Sequence, residues 1–595
     1  MSSLDRKYKS GGTGTGAMAA LVVLLVGFPA LMWLVVTVGN VFHARADGLP
    51  SGYYKRGLGI FKGDVPWRVT EWVVAASIVL LLLTAVILVA LRRSRKASKR
   101  VRHDRAAQHM GSAKELRDFT LEGVLAKAKR FGVEAPGVFV GRMVRGGKGL
   151  YASWEDTMLH IWGTRTGKTT SQAAPTVVEA PGCVVATSNK RDLSDMTRDL
   201  RAKKGTVWVF DPQGVADEKP SWWWNPLSYV TDAERAAEMA ENFALGSRSP
   251  GSRGGDAHFD AAGKDLLSAL LLAAAVGNQP IAKVHFWLTR STDETPATLL
   301  DEHGWKQESD SVMSVITQHE KYRGSVYSTA LEMARCLKNR SIARWVNPDG
   351  PYDTRPQLDL QDFVTGTNTL YALSKEGAGT AGPLVTSLTV ATVTAAEQYA
   401  VKHRGGRMPT PMVCVLDEAA NVCRWANLPD LYSHYGSRGI VLSTFLQSWS
   451  QGVDVWGESG MKKLFSTANI VTYGGNVKEE GYLRMLNSLV GQYTYTSQSS
   501  SRQKDGRSTS RQDNSDEILS VKDLGSMPKG RAVMFAAGAP AVLLRTVPIS
   551  SRSFADDVAA SEAAHNVPVA APPVVGTAGA AARVSANRWE QLVRK

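Results

Sequence analysis

The sequence predicts an α/β protein built on a largely parallel sheet, with an all-helical stretch inserted into it and two transmembrane helices ahead of it. Three observations carry this expectation. Short apolar runs alternate with helical stretches from residue 158 onward, the pattern of strands covered on both faces. A strand, a glycine-bearing polar loop and a helix follow one another over 158–179. Two charge-free apolar runs lie within the first hundred positions.

The apolar runs come first in the chain. Residues 17–38 and 72–91 are each about 20 residues without a charge, long enough to cross a hydrocarbon core of roughly 30 Å. Arg6, Lys7 and Lys9 precede the first run. Arg92, Arg93, Arg95, Lys96, Lys99, Arg100, Arg102 and Arg105 follow the second, so both ends are expected on the cytoplasmic side. The alternative is a secretory signal cleaved near Ala44-Arg45-Ala46; the first run is longer than such signals, and the second span would hold the chain in place regardless. The basic flank suits anionic membrane lipid, as juxtamembrane Lys/Arg clusters do. The formal charge of +15 fits nucleic acid or anionic lipid as partners, or simply a solvated basic surface. Cys183, Cys336, Cys414 and Cys423 show no C-x-x-C spacing, which argues against a zinc ribbon or a disulfide framework and suits a reducing compartment.

At 595 residues the chain exceeds one compact core. We divide it into a membrane anchor (1–110), the first part of a nucleotide-binding domain (111–229), an inserted all-α domain (230–350), the second part of the nucleotide-binding domain (351–554) and a disordered tail (555–595). Strands are expected at 158–162, 183–187, 206–210, 412–416, 440–446, 469–473, 532–536 and 542–547. Helices are expected at 231–245, 260–276 and 309–345, where apolar positions recur three or four apart. Residues 110–152 are mixed and read as a lead-in. Residues 497–516, rich in Ser, Gln and Arg, read as a mobile loop; its Arg502, Lys504, Arg507 and Arg511 are candidates to line a DNA channel, or are simply solvated. Trp222, Trp223 and Trp224 pack a domain junction in the favoured reading, with stacking on bases as the alternative.

The loop after the first strand reads Gly163-Thr164-Arg165-Thr166-Gly167-Lys168-Thr169-Thr170. Such a loop surrounds phosphates with backbone N–H groups and a helix N-terminus, while the lysine neutralises charge and the hydroxyl of Thr169 binds Mg2+. The first glycine of the usual pattern falls on Trp162. Asp417 and Glu418 end the apolar run Met-Val-Cys-Val-Leu and suit two further roles, Asp417 as a magnesium ligand and Glu418 as the group that orients attacking water. An Asp-Glu pair after a strand also suits a loop cap. The chemistry implied is ATP hydrolysis with Mg2+.

These and further motifs resemble the type IV secretion coupling proteins, the conjugative TraG/TraD family. The resemblance runs over about 150–550 through Pro181-Gly182-Cys183, Asn189-Lys190-Arg191-Asp192-Leu193, Val209-Phe210-Asp211-Pro212, Asn225-Pro226-Leu227, Leu416-Asp417-Glu418-Ala419-Ala420-Asn421, Ser437-Arg438-Gly439 and Leu446-Gln447-Ser448. Asn189-Lys190 stands where Asp-Pro-Lys is common in the family. What the resemblance implies is a RecA-like motor with an all-helical insertion, forming a homo-oligomeric ring taken as a hexamer. It implies an inner-membrane, multi-pass protein with a cytoplasmic motor that passes relaxase-bound single-stranded DNA, or protein substrates, to secretion-channel components. Gln447 would sense the γ-phosphate, or else satisfy buried backbone groups; Arg438 is a candidate arginine finger. A double-stranded DNA pump and a membrane receptor that does not act as a motor are the rival functions.

Overall fold

The computed structural model describes residues 28–42, 68–84 apart from 71 and 82, 102–247, and 257–565 apart from 378, 504 and 505. The chain divides into two compact units, Met1–Val101 and Arg102–Lys595. In the first unit a helix spans Phe28–Phe42, and further helical residues occur between 69 and 84. The expected spans 17–38 and 72–91 fall partly outside the described residues, as do 92–101 of the basic flank. Among the described residues no helix is long and apolar enough to cross a membrane.

The second unit is organised by an eleven-stranded sheet. In chain order its strands are β1 (Val138–Met143), β2 (Gly149–Ala152), β3 (Met158–Ile161), β4 (Val184–Ser188), β5 (Val207–Phe210), β6 (Thr369–Leu373), β7 (Met412–Leu416), β8 (Ile440–Leu446) and β9 (Ile470–Tyr473). After a separate hairpin of β10 (Gln492–Gln503) and β11 (Gly506–Glu517) come β12 (Arg531–Ala536) and β13 (Val542–Arg545). Spatial order is β2-β1-β13-β12-β9-β3-β8-β7-β4-β6-β5. The seven strands from β9 to β5 are mutually parallel, and the four beyond β9 are antiparallel. Every residue of β3, β4, β6, β7, β8 and β9 is buried. With helices on both faces such strands need no polar side, so they appear in sequence as unbroken apolar runs.

Register then sets the site. Ile161 of β3 pairs with Leu446 of β8 and Tyr473 of β9, and Leu416 of β7 lies opposite Thr444 of β8. The residues that follow these strands, Trp162, Asp417, Gln447 and Gly474, therefore leave the sheet at one edge. Ligands of open parallel sheets bind at such an edge, outside the carboxyl ends of the strands.

Between β5 and β6 the chain is helical. It forms Ala233–Ser247, Ala257–Val276, Ala282–Leu288, Thr295–Glu302, Lys306–Ile316, Glu320–Met333 and Arg340–Val346. Trp222 and Trp224 are buried where this stretch meets the sheet: the Trp222 ring meets those of Trp208 and Trp345 edge-on at 5.1 and 5.6 Å, and the Trp224 backbone N–H donates to the Trp345 carbonyl at 2.9 Å. These two side chains serve packing.

Three expectations need correction. Residues 497–516 belong to the β10–β11 hairpin, paired from Gln492↔Glu517 to Gln503↔Gly506. Its polar composition suggests a loop, but the side chains bond across the strands: Thr496 donates to Asp513 at 2.7 Å and Asn514 to Ser497 at 2.8 Å. The tail expected to be disordered from 555 opens with a helix, Ala555–His565. Alanine is the strongest helix former, and this helix docks on Asp192–Ala202 by Ser561 donating to the Asp195 carbonyl (2.6 Å) and by His565 against Asp199 (2.8 Å); 566–595 lie outside the described residues. The lead-in contains β1 and β2, and β6 went unread although it is wholly buried between β4 and β5.

One buried cation ties the other edge of the sheet together. Arg201, on the helix Asp192–Ala202, donates to Thr369 Oγ1 (2.7 Å) and to the carbonyls of Ala180 (2.8 Å), Gly182 (2.7 Å) and Thr367 (2.9 Å), and is fully buried. Arg201→Met strips four acceptors, three of them buried, of their donor at once. A denaturant titration is expected to show a stability loss of at least about 3 kcal/mol; an unchanged midpoint would show that Arg201 does not hold this edge.

Candidate functional site

The loop that leaves β3 is braced from behind. Trp162 continues the strand, its N–H donating to the Leu446 carbonyl at 3.0 Å and its ring nitrogen to Thr472 Oγ1 at 2.7 Å. A Cβ on Gly474 would stand 2.1 Å from the Trp162 ring, so the place of the missing first glycine is taken by an indole that another glycine accommodates. Gly163 is equally confined: its N–H donates to the Gly475 carbonyl at 3.0 Å, and a Cβ there would meet the Asn476 carbonyl oxygen at 2.0 Å. Asn476 donates to the Thr164 carbonyl at 2.9 Å. Further along, Thr166 Oγ1 donates to the Gly163 carbonyl (2.7 Å) and Thr170 Oγ1 to that of Gly167 (3.3 Å). Thr164 and Arg165 are exposed, and Arg165 and Gly167 have φ of 60° and 92°. Lys168 precedes the π-helical turn Thr169–Ala173, which runs into the helix Ala174–Glu179. The loop thus ends at a helix N-terminus, where unpaired N–H groups favour an anion.

Opposite the loop stand the two acids that follow β7. The Lys168 ammonium is hydrogen-bonded to Glu418 Oε1 and lies 3.2 Å from Asp417 Oδ1. Gln447, just past β8, donates from Nε2 to the other oxygen, Glu418 Oε2, at 2.7 Å. Both carboxylates are buried. Burial pushes the Asp417 carboxyl up to about 6, with Lys168 pulling it down and Glu418 adding to the rise. Burial acts to lower the Lys168 pKa, but the two carboxylates outweigh it and the ammonium is held above its ordinary value. Glu418 adopts the left-handed conformation (φ 55°, ψ 42°), a backbone strain of about 1–3 kcal/mol for a side chain of this kind. Both acids contact the same lysine.

ATP with Mg2+ fits these residues. The loop offers a lysine, a helix N-terminus and several hydroxyls to a phosphate chain, and Asp417 Oδ1 is a buried carboxylate oxygen whose contact with Lys168 lacks hydrogen-bond geometry. A divalent cation suits such an oxygen together with the hydroxyl of Thr169.

Residues 411–529 match the family described as the TraM recognition site of TraD and TraG. Among solved structures, the bacterial conjugative coupling protein TrwBdeltaN70 in its unbound monoclinic form is similar, with a TM-score of 0.50 at 16% identity over 72% of this chain and 92% of that chain. The plasmid coupling protein TrwB in complex with ADP and Mg2+ gives 0.46 at 14% identity, over 66% and 85%. VirB4 of Thermoanaerobacter pseudethanolicus gives 0.38 at 12%, over 69% and 96%. No curated protein matches the sequence. The family match over 411–529 bears out the TraG/TraD resemblance, and TrwBdeltaN70 shares the fold. The matched TraM recognition segment contains Asp417, Glu418 and Gln447, so the TraG/TraD signature includes one wall of the site.

Not every candidate of the coupling-protein motifs gathers here. Arg438 precedes β8, whereas Gln447 follows it, and seven strand residues separate the two by about 20 Å. Its guanidinium donates to the Gly406 carbonyl at 3.2 Å and lies 4.0 Å from Glu397. Two groups of residues near the site went unread. The Gly474-Gly475-Asn476 turn braces the loop, and Gly-Gly-Asn directly after an apolar run was its visible signal. Glu376 accepts from Asn189 and, at 2.9 Å, from Asn421 in the turn after Glu418; no local pattern distinguishes that glutamate.

Removing the lysine leaves two buried carboxylates without a cation. Lys168→Met is expected to destabilise the nucleotide-free protein, and Glu418→Gln to be better tolerated in that background than in the wild type. A double-mutant cycle in denaturant should give a coupling of about 1–3 kcal/mol; strictly additive effects would contradict the ion pair.

Proposed function

We propose that this chain is an ATP-driven coupling protein of conjugative or type IV secretion, which recruits DNA or protein substrates and drives them toward a secretion channel. The observation that carries the reading is the convergence of Lys168, Asp417, Glu418 and Gln447 at one sheet edge. The TraM recognition segment of TraD and TraG supports it, as does the fold shared with TrwBdeltaN70.

In this reading the loop N–H groups and Lys168 bind the phosphate chain, and Thr169 with Asp417 would hold a magnesium ion, which supplies neutralising positive charge when bound. Lys168 pairs with both Glu418 and Asp417. Transfer of its ammonium to phosphate frees Glu418 to accept a hydrogen bond from water and orient it for attack. Gln447, bonded to the same carboxylate, links Glu418 to the end of β8 and so reports on the γ-phosphate. Arg438, remote from its own chain's site, is available to that of a neighbouring subunit in a ring.

The two apolar runs at 17–38 and 72–91 with their basic flanks support an inner-membrane anchor, anionic lipid contact and a cytoplasmic motor. The substrate read from the family resemblance is relaxase-bound single-stranded DNA.

The test is ATP turnover by the full-length protein, with and without single-stranded DNA. Glu418→Gln is expected to keep nucleotide binding while turnover falls at least about 100-fold, and Lys168→Ala to lose binding itself. Turnover unchanged in Glu418→Gln would remove Glu418 from the reaction. Stimulation by blunt duplex equal to that by single strands would assign the chain to duplex pumping.

A further inference from the structure

The site as assembled carries more negative than positive charge. Lys168 is one cation between two carboxylates, Asp417 and Glu418, before any phosphate arrives. A polyphosphate entering there needs positive charge beyond Lys168, and the structure holds a candidate outside the motifs already assigned. Lys529 lies in the turn between the helix Val521–Gly525 and β12. Its Cε stands 3.7 Å from the point a Cβ on Gly167 would occupy, and Thr170 Oγ1 and Ser171 Oγ border the same point at 3.6 and 3.7 Å. One lysine stem and two hydroxyls thus converge on the bare face of the loop glycine immediately before Lys168. Lys529 is exposed, and among the described residues no acidic partner is recorded for it.

The turn that carries Lys529 is placed by backbone packing. A Cβ on Gly475 would come within 2.9 Å of the Met527 carbonyl oxygen, and Gly475 in turn accepts from Gly163 of the loop at 3.0 Å. Three segments are therefore stacked, 526–530 on 474–476 on 163–167. The buried pair of Arg531 with Asp104, at 2.6 and 2.9 Å, fixes the start of β12 behind the turn.

We infer that Lys529 is a second cation of the nucleotide site, contacting the phosphate chain beside Gly167. This rests on the nucleotide-binding reading above. The test is equilibrium binding of a fluorescent ADP analogue, with Mg2+, to the full-length wild type and to Lys529→Met, Lys529→Arg and Lys168→Ala, at low and high salt. Lys529→Met is expected to weaken binding about tenfold and to flatten its salt dependence, with Lys529→Arg close to wild type. Wild-type affinity in Lys529→Met, alongside loss in Lys168→Ala, would overturn the inference and leave the nucleotide site standing. Equal weakening in Lys529→Arg and Lys529→Met would also overturn it, since the charge would then not be what acts. A wild-type protein that binds no nucleotide would remove both readings together.

Discussion

The Lys168 ammonium, held between Asp417 and Glu418 at the carboxyl edge of a parallel sheet, is the interaction on which the site depends. Two buried carboxylates beside one another repel, and burial already favours the neutral form of Asp417. The lysine offsets that repulsion. In the proposed function a phosphate chain would compete for the same ammonium, and its release would alter the charge around Glu418. Gln447 shares the Glu418 carboxylate from the end of β8.

Close packing makes that geometry reproducible. The indole of Trp162 presses on Gly474, the Gly163 backbone meets Asn476, and Gly475 meets Met527. Each contact exists because a glycine stands where any side chain would collide. The loop is thereby held by the ends of β3 and β9 and by the turn before β12, three segments far apart in sequence. The shared fold with TrwBdeltaN70 is compatible with a site assembled in this way.

Much of this was legible in the chain itself, for physical reasons. Strands such as β4, β7 and β8 are buried on both faces, so their composition alone announces them. The Lys168 loop and the Asp417-Glu418 pair stood out in the sequence because each follows an apolar run that the structure forms as a strand, β3 and β7. The β10–β11 hairpin was not, since its pairing rests on hydroxyl, amide and carboxylate side chains that are equally at home in a loop. The helix Ala555–His565 was hidden in an Ala-, Pro- and Val-rich segment whose docking on Asp192–Ala202 is not visible in its own sequence. Lys529 and Asn476 were hidden for a different reason: their importance lies in which loops the fold brings together.

The account stands on Lys168 exchanging its carboxylate partners for phosphate, and one structure tests that directly: the full-length protein with a non-hydrolysable ATP analogue and Mg2+, at a resolution that shows side chains. The account predicts the analogue's phosphates against the 163–170 loop, the Lys168 ammonium moved from Glu418 onto them, and Glu418 still bonded to Gln447. An analogue seated elsewhere, or a phosphate chain bound while Lys168 remains on both carboxylates, would contradict it.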